Sequence, residues 1–287
     1  MKLVRFTEQG RTRIGKVEGQ QVIDLSEISG VTSSMRQLIG NLPQLRSALE
    51  DANGPAYDLA KVRLEAPVND AQKFLGIGMN YRKHAEEARL AGIPIPESQL
   101  WFNKQVSCIV GPFDDVEKPQ VSDKMDYEIE LGVVIGTRCR HVAADDAASV
   151  IAGYLIVNDV SARDWLQKSP TFTLGKSFDT FGPIGPWLTT ADEIADPLAL
   201  EMTLFINGEP RQQSMTGDMI YNIYQQIEYL STVMTLEPGD ILATGTPSGI
   251  GAPKGIFLRP GDVMRLEIDG LGHIENQVVT ERPRKPR

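Results

Sequence analysis

In the stretch Asp126-Tyr127-Glu128-Ile129-Glu130-Leu131-Gly132-Val133-Val134-Ile135-Gly136, acids stand at alternate positions and then give way to an apolar, β-branched run. The back half, residues 131–135, reads as a strand inside a packed sheet. In a strand, side chains two apart share a face and lie about 7 Å apart. Asp126, Glu128 and Glu130 are therefore expected on one face. Two ionised carboxylates at that spacing repel by about 2–3 kcal/mol at an effective dielectric of about 20. A strand entering a core does not keep such a set without something to offset it, and a hard divalent cation is the economical offset. The other reading is a solvent-exposed strand edge, where alternating glutamates are ordinary.

Length and charge narrow the class. A chain of 287 residues holds one large domain, or a large one and a small one. Its 29 basic and 38 acidic residues leave a net charge of −9, which argues against nucleic acid or an anionic membrane as the main partner. The basic tail Arg282-Pro283-Arg284-Lys285-Pro286-Arg287 reads as a solvated end. Cys108 and Cys139 are too few for a disulfide framework or a cysteine metal site, and they fit a reducing cytoplasm. The N-terminal segment is strand-like and lacks the apolar core of a secretion signal, and no apolar run approaches a membrane-spanning length. The expectation is a soluble, cytoplasmic protein.

Along the chain, residues 1 to about 65 alternate over 2–6, 13–17 and 21–24 with turn residues between, as in a short meander. Ser33 or Ser34 can cap a helix over 35–39, a second helix is expected over 43–51, and residues 62–67 read as an outgoing strand. Residues 74–78 follow as a glycine-bearing strand, where backbone can approach a ligand closely. The helix formers of 80–91 then place His84 and Glu87 three apart on one face, a pairing that suits a carboxylate orienting an imidazole, or simply a surface pair. His141 and His273 carry no expected role. Residues 101–104 read as a strand, 143–151 as a helix, and 152–157 as a buried strand opening at Asp159, either a ligand position or a helix cap. Lys176 stands between small residues. Asn207-Gly208 is a hairpin turn, residues 220–234 an amphipathic helix, and 238–243 a strand running into the glycine- and hydroxyl-rich segment 244–251. Residues 260–268 and 272–279 close the chain as strands.

Five motifs occur in order: Gly78-Met79-Asn80-Tyr81-x-x-His84-x-x-Glu87, Asp126-Tyr127-Glu128-x-Glu130, Asn158-Asp159-Val160-Ser161-Ala162-Arg163-Asp164, Gly175-Lys176-Ser177-Phe178-Asp179 and Thr244-Gly245-Thr246-Pro247-x-Gly249. Together they resemble the fumarylacetoacetate hydrolase family over about residues 71–280. The resemblance implies an α+β, mainly β fold: a mixed β-sandwich roll over 71–287, usually a homodimer, preceded by a small N-terminal α+β domain over 1–70. It places a three-carboxylate site for one Mg²⁺ or Mn²⁺ per subunit on Glu128, Glu130 and Asp159. It places the acid/base pair on His84 and Glu87, the site lysine on Lys176, and substrate-binding positions on Gly78, Tyr81, Arg163, Gly245 and Thr246. The chain departs from many members at Leu166, where they carry Gln, and over residues 169–173, where some carry a Gly-Gly-Gln-Trp lead-in.

The activity that the resemblance implies is hydrolysis of a carbon–carbon bond in a 2,4-diketo acid, with release of pyruvate. In that reading His84 activates water, Lys176 meets the oxyanion, and the metal acts as Lewis acid. Decarboxylation of a β-keto acid such as oxaloacetate, a lyase or isomerase reaction on a related acid such as ureidoglycolate, and a non-catalytic binding module are the other readings. The paired His84 and Glu87 weigh against the last.

Overall fold

The computed structural model describes residues 1–90 and 92–282, so residues 283–287 of the basic tail and Ala91 at the end of the expected charged helix lie outside the described residues. β1 (Lys2–Glu8), β2 (Arg11–Glu18) and β3 (Gln21–Asp24) form the expected meander, with Gln9 and Gly10 at positive φ in the first turn. The Ser34 hydroxyl accepts a hydrogen bond from Gln37 N and so starts α1 (Met35–Gly40), and Pro43 sits in the first turn of α2 (Leu42–Glu50). β4 (Ala56–Asp58) pairs with β3 although nothing in its sequence alternates, and β5 (Arg63–Glu65) returns beside β1.

β6 (Phe74–Gly78) leads into α3 (Arg82–Leu90), and β7 (Leu100–Lys104) comes back antiparallel to β6. The short β8 (Ile109–Val110), β9 (Val116–Lys118) and β10 (Met125–Asp126) precede β11 (Ile129–Ile135) and β12 (Ile151–Asn158), in which every residue is buried. Between these two long strands, residues 144–150 wind as a 3₁₀ helix rather than the expected α-helix. Its Asp145, Asp146 and Ser149 are weak helix formers, and Ser149 Oγ donates to Asp146 O at 2.7 Å, which favours the tighter turn. β13 (Ser161–Ala162), α4 (Arg163–Leu166), α5 (Thr173–Lys176) and β14 (Gly182–Thr190) follow. β15 (Glu201–Ile206) and β16 (Glu209–Met215) make the hairpin about Asn207-Gly208. α6 (Ile223–Val233) starts where Asn222 and Gln225 form a capping box, three residues later than apolar spacing alone suggests. β17 (Ile241–Ala243), β18 (Val263–Ile268) and β19 (Gly272–Thr280) complete the chain.

Twelve strands form one sheet in the order β4-β3-β2-β1-β14-β12-β11-β17-β6-β7, with β5 on β1 and β8 on β14. A five-stranded sheet, β16-β15-β18-β19-β9, meets it across the core, where β11, β12 and β14 face β15, β18 and β19. Most neighbours are antiparallel, while β6–β17, β8–β14 and β9–β19 are parallel. This is the expected mixed sandwich roll. The N-terminal region does not carry a separate sheet: β1 pairs with β14 through Lys2–Thr189 and Leu3–Leu188, and Leu3, Met35 and Leu38 belong to the same core as Leu131 and Leu155. No helix among the described residues is long and apolar enough to cross a membrane.

Candidate active site

The acidic stretch is not one continuous strand. β10 ends at Asp126, Tyr127 and Glu128 interrupt the ladder, and β11 begins at Ile129. The interruption removes Asp126 from the common face that alternation assigns to it. Its carboxylate is instead fully buried and accepts hydrogen bonds from Tyr127 N, Gly251 N and Ala252 N at 3.0, 2.8 and 3.0 Å, and from Arg163 Nε at 2.8 Å. Its place beside Glu128 and Glu130 is taken by Asp159, just past the end of β12. Glu128, Glu130 and Asp159, all buried, offer oxygens that lie within 4.8 Å of one another.

Three cations surround this set unevenly. Lys176 Nζ, on α5, donates to Glu128 Oε2 at 2.6 Å and to Asp159 Oδ2 at 2.5 Å. Arg163 Nη2 lies 2.7 Å from Glu128 Oε1, so this guanidinium joins Asp126 to Glu128. Lys104 Nζ, fully buried at the end of β7, donates to Asp159 Oδ1 at 2.6 Å, Lys176 O at 2.5 Å and Val160 O at 3.3 Å. Among the described residues no cation pairs with Glu130, whose Oε2 accepts one backbone hydrogen bond, from Gly245 N at 2.7 Å.

The titration of the acids follows from that unevenness. Burial favours the protonated form of Glu128, but the charges of Lys176 and Arg163 outweigh it and bring the carboxyl down to about 2. Burial also raises Glu130, and there the neighbouring Asp159 and Glu128 charges add to it, so its carboxyl sits well above the usual range. For Lys176, burial works against the ammonium, and Asp159 and Glu128 reverse that and raise it. The result is a buried, all-oxygen set in which one carboxyl, that of Glu130, has no cation partner among the described residues. Such a set fits a hard divalent cation.

α3 hangs over this set. Its inner face carries His84 and Glu87, with His84 Nδ1 3.5 Å from Glu87 Oε2, an ion-pair distance longer than a closed hydrogen bond. His84 is the main cause that holds the Glu87 carboxyl below its ordinary range, with burial working the other way. Asn80 anchors the start of the helix. Its Nδ2 donates to Tyr221 O and Thr244 O at 3.0 and 2.8 Å, and its Oδ1 accepts from Tyr221 N at 2.9 Å.

These groups share a cavity of about 420 Å³, lined at one end by Glu128, Glu130, Lys176, Arg163, Thr246 and His84 and elsewhere mostly by apolar side chains. That size is ordinary for a small-molecule site. Of the residues expected to touch a substrate, Gly78, Arg163 and Thr246 line it. Tyr81 and Gly245 do not. The Tyr81 ring is 1% exposed and its hydroxyl donates to Met202 Sδ at 3.2 Å, because the bridge from Tyr81 to Met219 turns it under the helix into the core. Gly245 has φ +101°, and a Cβ there would stand 2.7 Å from Asn80 Cβ; its N–H is spent on Glu130. Thr246 Oγ1 donates to Ile129 O and accepts from Gln212 Nε2, whose Oε1 in turn accepts from Ile129 N.

Lys104, Gln212 and Asn80 are supports that local spacing does not reveal. For Lys104 a signal exists: it stands two residues from the buried Phe102 in one strand, so both point to the same buried face. A lysine there needs acids behind it.

A family model described as the fumarylacetoacetate hydrolase C-terminal domain matches residues 73–279, and one described as Rv2993c-like, N-terminal, matches residues 1–67. The chain belongs to the fumarylacetoacetate hydrolase family. A Burkholderia cenocepacia relative carrying the provisional name of a hydrolase is 43% identical over 278 residues, 95% of this chain and 96% of that one. The structure of maleylpyruvate hydrolase from Sphingobium sp. SYK-6 with manganese(II) and pyruvate has a TM-score of 0.85 at 35% identity, covering 98% of this chain and all of that one. The structure of 2-hydroxyhepta-2,4-diene-1,7-dioate isomerase from Mycobacterium marinum has a TM-score of 0.80 at 32% identity, covering 99% of this chain and all of that one. Membership in this family makes the chain an enzyme with hydrolase relatives, and the carboxylate cluster is its candidate metal centre.

Proposed function

We propose that this family member hydrolyses a carbon–carbon bond in a 2,4-diketo acid and releases pyruvate. The observation that carries the reading is the buried Glu130 carboxyl, which has no cation partner among the described residues and shares one cavity with the His84–Glu87 pair and Lys176. Glu128, Glu130 and Asp159 would hold one Mg²⁺ or Mn²⁺ per subunit, and the manganese and pyruvate in the Sphingobium enzyme support that choice. When bound, the cation supplies Lewis-acid polarisation and a seat for a keto acid.

The chain's own residues do the rest. His84, oriented by Glu87, takes a proton from water as the water oxygen bonds to the C4 carbonyl carbon. The 3.5 Å separation of His84 and Glu87 shortens when α3 closes over substrate, as such contacts commonly tighten only in the complex. Lys176 keeps its positive charge through Glu128 and Asp159 and uses two of its three donors on them; the third meets the C4 oxyanion. The C3–C4 bond then breaks, its electron pair going to C3, and the proton held by His84 is delivered there. One water is consumed, and pyruvate and a second carboxylic acid leave.

The isomerase from Mycobacterium marinum favours a second reading, in which the same His84 moves a proton between carbons of a related keto acid without adding water. One experiment separates the two. A panel of 2,4-diketo acids and 2-hydroxydienoic keto acids is incubated in H₂¹⁸O with Mn²⁺ and the products are weighed. Pyruvate together with one ¹⁸O in the new carboxylate supports hydrolysis. Rearranged substrate of unchanged mass rejects it.

A further inference from the structure

The cavity's two ends differ in chemistry. At and behind one end, Asp126, Glu128 and Asp159 are joined to Arg163, Lys176 and Lys104 in one network of ion pairs, and Glu130 stands beside it, so that four acids, when ionised, meet three cations. Both cations that line the cavity are engaged there: Arg163 by Asp126 and Glu128, Lys176 by Glu128 and Asp159. A bound divalent cation would turn the deficit of one positive charge into an excess of one, which the carboxylate of a single keto acid neutralises.

Among the described residues, the rest of the wall carries no lysine or arginine to receive a second one. Met79, Ile93, Leu100, Phe102, Leu166 and Phe172 line it, with the Phe102 and Phe172 rings in edge contact at 6.1 Å. Met79 and Phe172 hold left-handed backbone, φ +55° and +60°, which non-glycine residues rarely adopt, so apolar side chains stand at the cavity at a conformational cost. Its polar member away from the acids is Gln167, an uncharged amide. The cations of α3 turn away: Arg82, Lys83 and Arg89 lie on its exposed outer face, and Arg89 pairs with Glu86. Lys254 and Lys168 adjoin the lining without being part of it: Lys254 follows Pro253 and lowers Glu87 only slightly, and Lys168 Nζ lies over the Trp165 ring at 3.6 Å.

We propose that the substrate's arm beyond the keto-acid end is uncharged and apolar, and that it runs along the Phe102–Phe172 wall past Gln167. This rests on the keto-acid reading above. A carboxylate on the arm would lie against Phe102, Leu166 and Phe172 and find, among the lining residues, no cation that the acids do not already engage, which disfavours it. Methylenes or an aromatic ring lose nothing by the same transfer.

The test uses two unreactive keto acids that differ only at the far end, 2-oxooctanoate and 2-oxooctanedioate, titrated calorimetrically into the full-length protein with saturating Mn²⁺. The expected result is a preference for the methyl-ended acid of at least about tenfold, narrowed in Gln167→Arg, an exposed substitution that supplies the missing cation. Equal binding, or tighter binding of the diacid, overturns the proposal. A preference that Gln167→Arg leaves unchanged overturns the placement of the arm along this wall. Turnover of the matching 2,4-diketo acids is read in parallel. If neither is cleaved while the binding preference holds, hydrolysis is the wrong reaction and the apolar arm stands.

Discussion

Glu130 shows how one buried side chain sets the behaviour of a site. Its folded carboxyl sits well above the ordinary range, because of burial first and then the Asp159 and Glu128 charges. The native metal-free protein therefore holds a proton that the unfolded chain releases at about pH 4.3, and stability falls as pH rises from there through the folded value. Glu128 runs the other way: depressed to about 2, its contribution is present above about pH 4.3 and is lost as pH falls towards 2. Glu130→Gln is expected to leave the metal-free protein as stable at pH 8 as the wild type, or more so, because the amide oxygen can still accept from Gly245 N. It should abolish the rise in melting temperature that Mn²⁺ gives the wild type. A Glu130→Gln protein that Mn²⁺ still stabilises fully would take Glu130 out of the metal site. Lys104 is the opposite kind of residue, a buried cation with all three donors satisfied. Lys104→Met leaves Asp159 Oδ1 short of its partner in the core and should cost about 3–5 kcal/mol in urea unfolding. A loss under about 1 kcal/mol would show that the pair carries no such weight.

At the scale of the element, α3 is where movement is expected. It hangs on Asn80 at one end, and near the other Leu90, Ile93 and Ile95 are exposed at 74%, 47% and 43%. An apolar edge of that kind beside a cavity has area to bury on closure, about 25 cal/mol for each Å² removed from water. Oxalate with Mn²⁺ should slow amide exchange over residues 82–90 more than over β11 or β12, measured by mass spectrometry. Exchange in α3 that saturating oxalate leaves unchanged would contradict a closing lid. The helix also carries the proposed base, so His84→Ala should lower pyruvate release by about 10²–10⁴-fold, the usual worth of general base catalysis. Binding of oxalate should be nearly unchanged in that variant. If oxalate binding falls by the same factor, His84 serves binding instead.

Across the whole molecule, β1 pairs with β14, so the N-terminal region shares a sheet and core residues with the rest of the chain. Without residues 1–67, β14 loses its partner on that side, and the core loses Leu3, Leu25, Met35, Leu38 and Ile39, all fully buried. Each such side chain contributes about 1.5–3 kcal/mol, against a total stability of about 5–15 kcal/mol for a typical protein. A 68–287 fragment is therefore expected to be insoluble or to lack near-ultraviolet circular dichroism, and the full chain to melt in one transition. A fragment that melts cooperatively near the full-length temperature would show that the two regions are independent.

Local chemistry is legible from residue order alone. The meander, the Ser34 cap, the Asn207-Gly208 hairpin and the His84–Glu87 pairing depend on neighbours within a few positions, and the structure has each of them. The sandwich roll was legible through motif order rather than through periodicity. Tertiary structure alone decided the membership of the acid cluster. Alternation assigns Asp126 to the face of Glu128 and Glu130, but the break after β10 gives it to Arg163 and three backbone amides, and Asp159 enters from beyond another strand. Lys104 reaches Asp159 across 55 positions, and Gly245 reaches Glu130 across 115. Tyr81 and Gly245 stand in a site motif yet turn to the core and to Glu130. A buried charge takes whichever partners the packed chain brings within hydrogen-bonding distance, and that distance is not written in the spacing of residues along the chain.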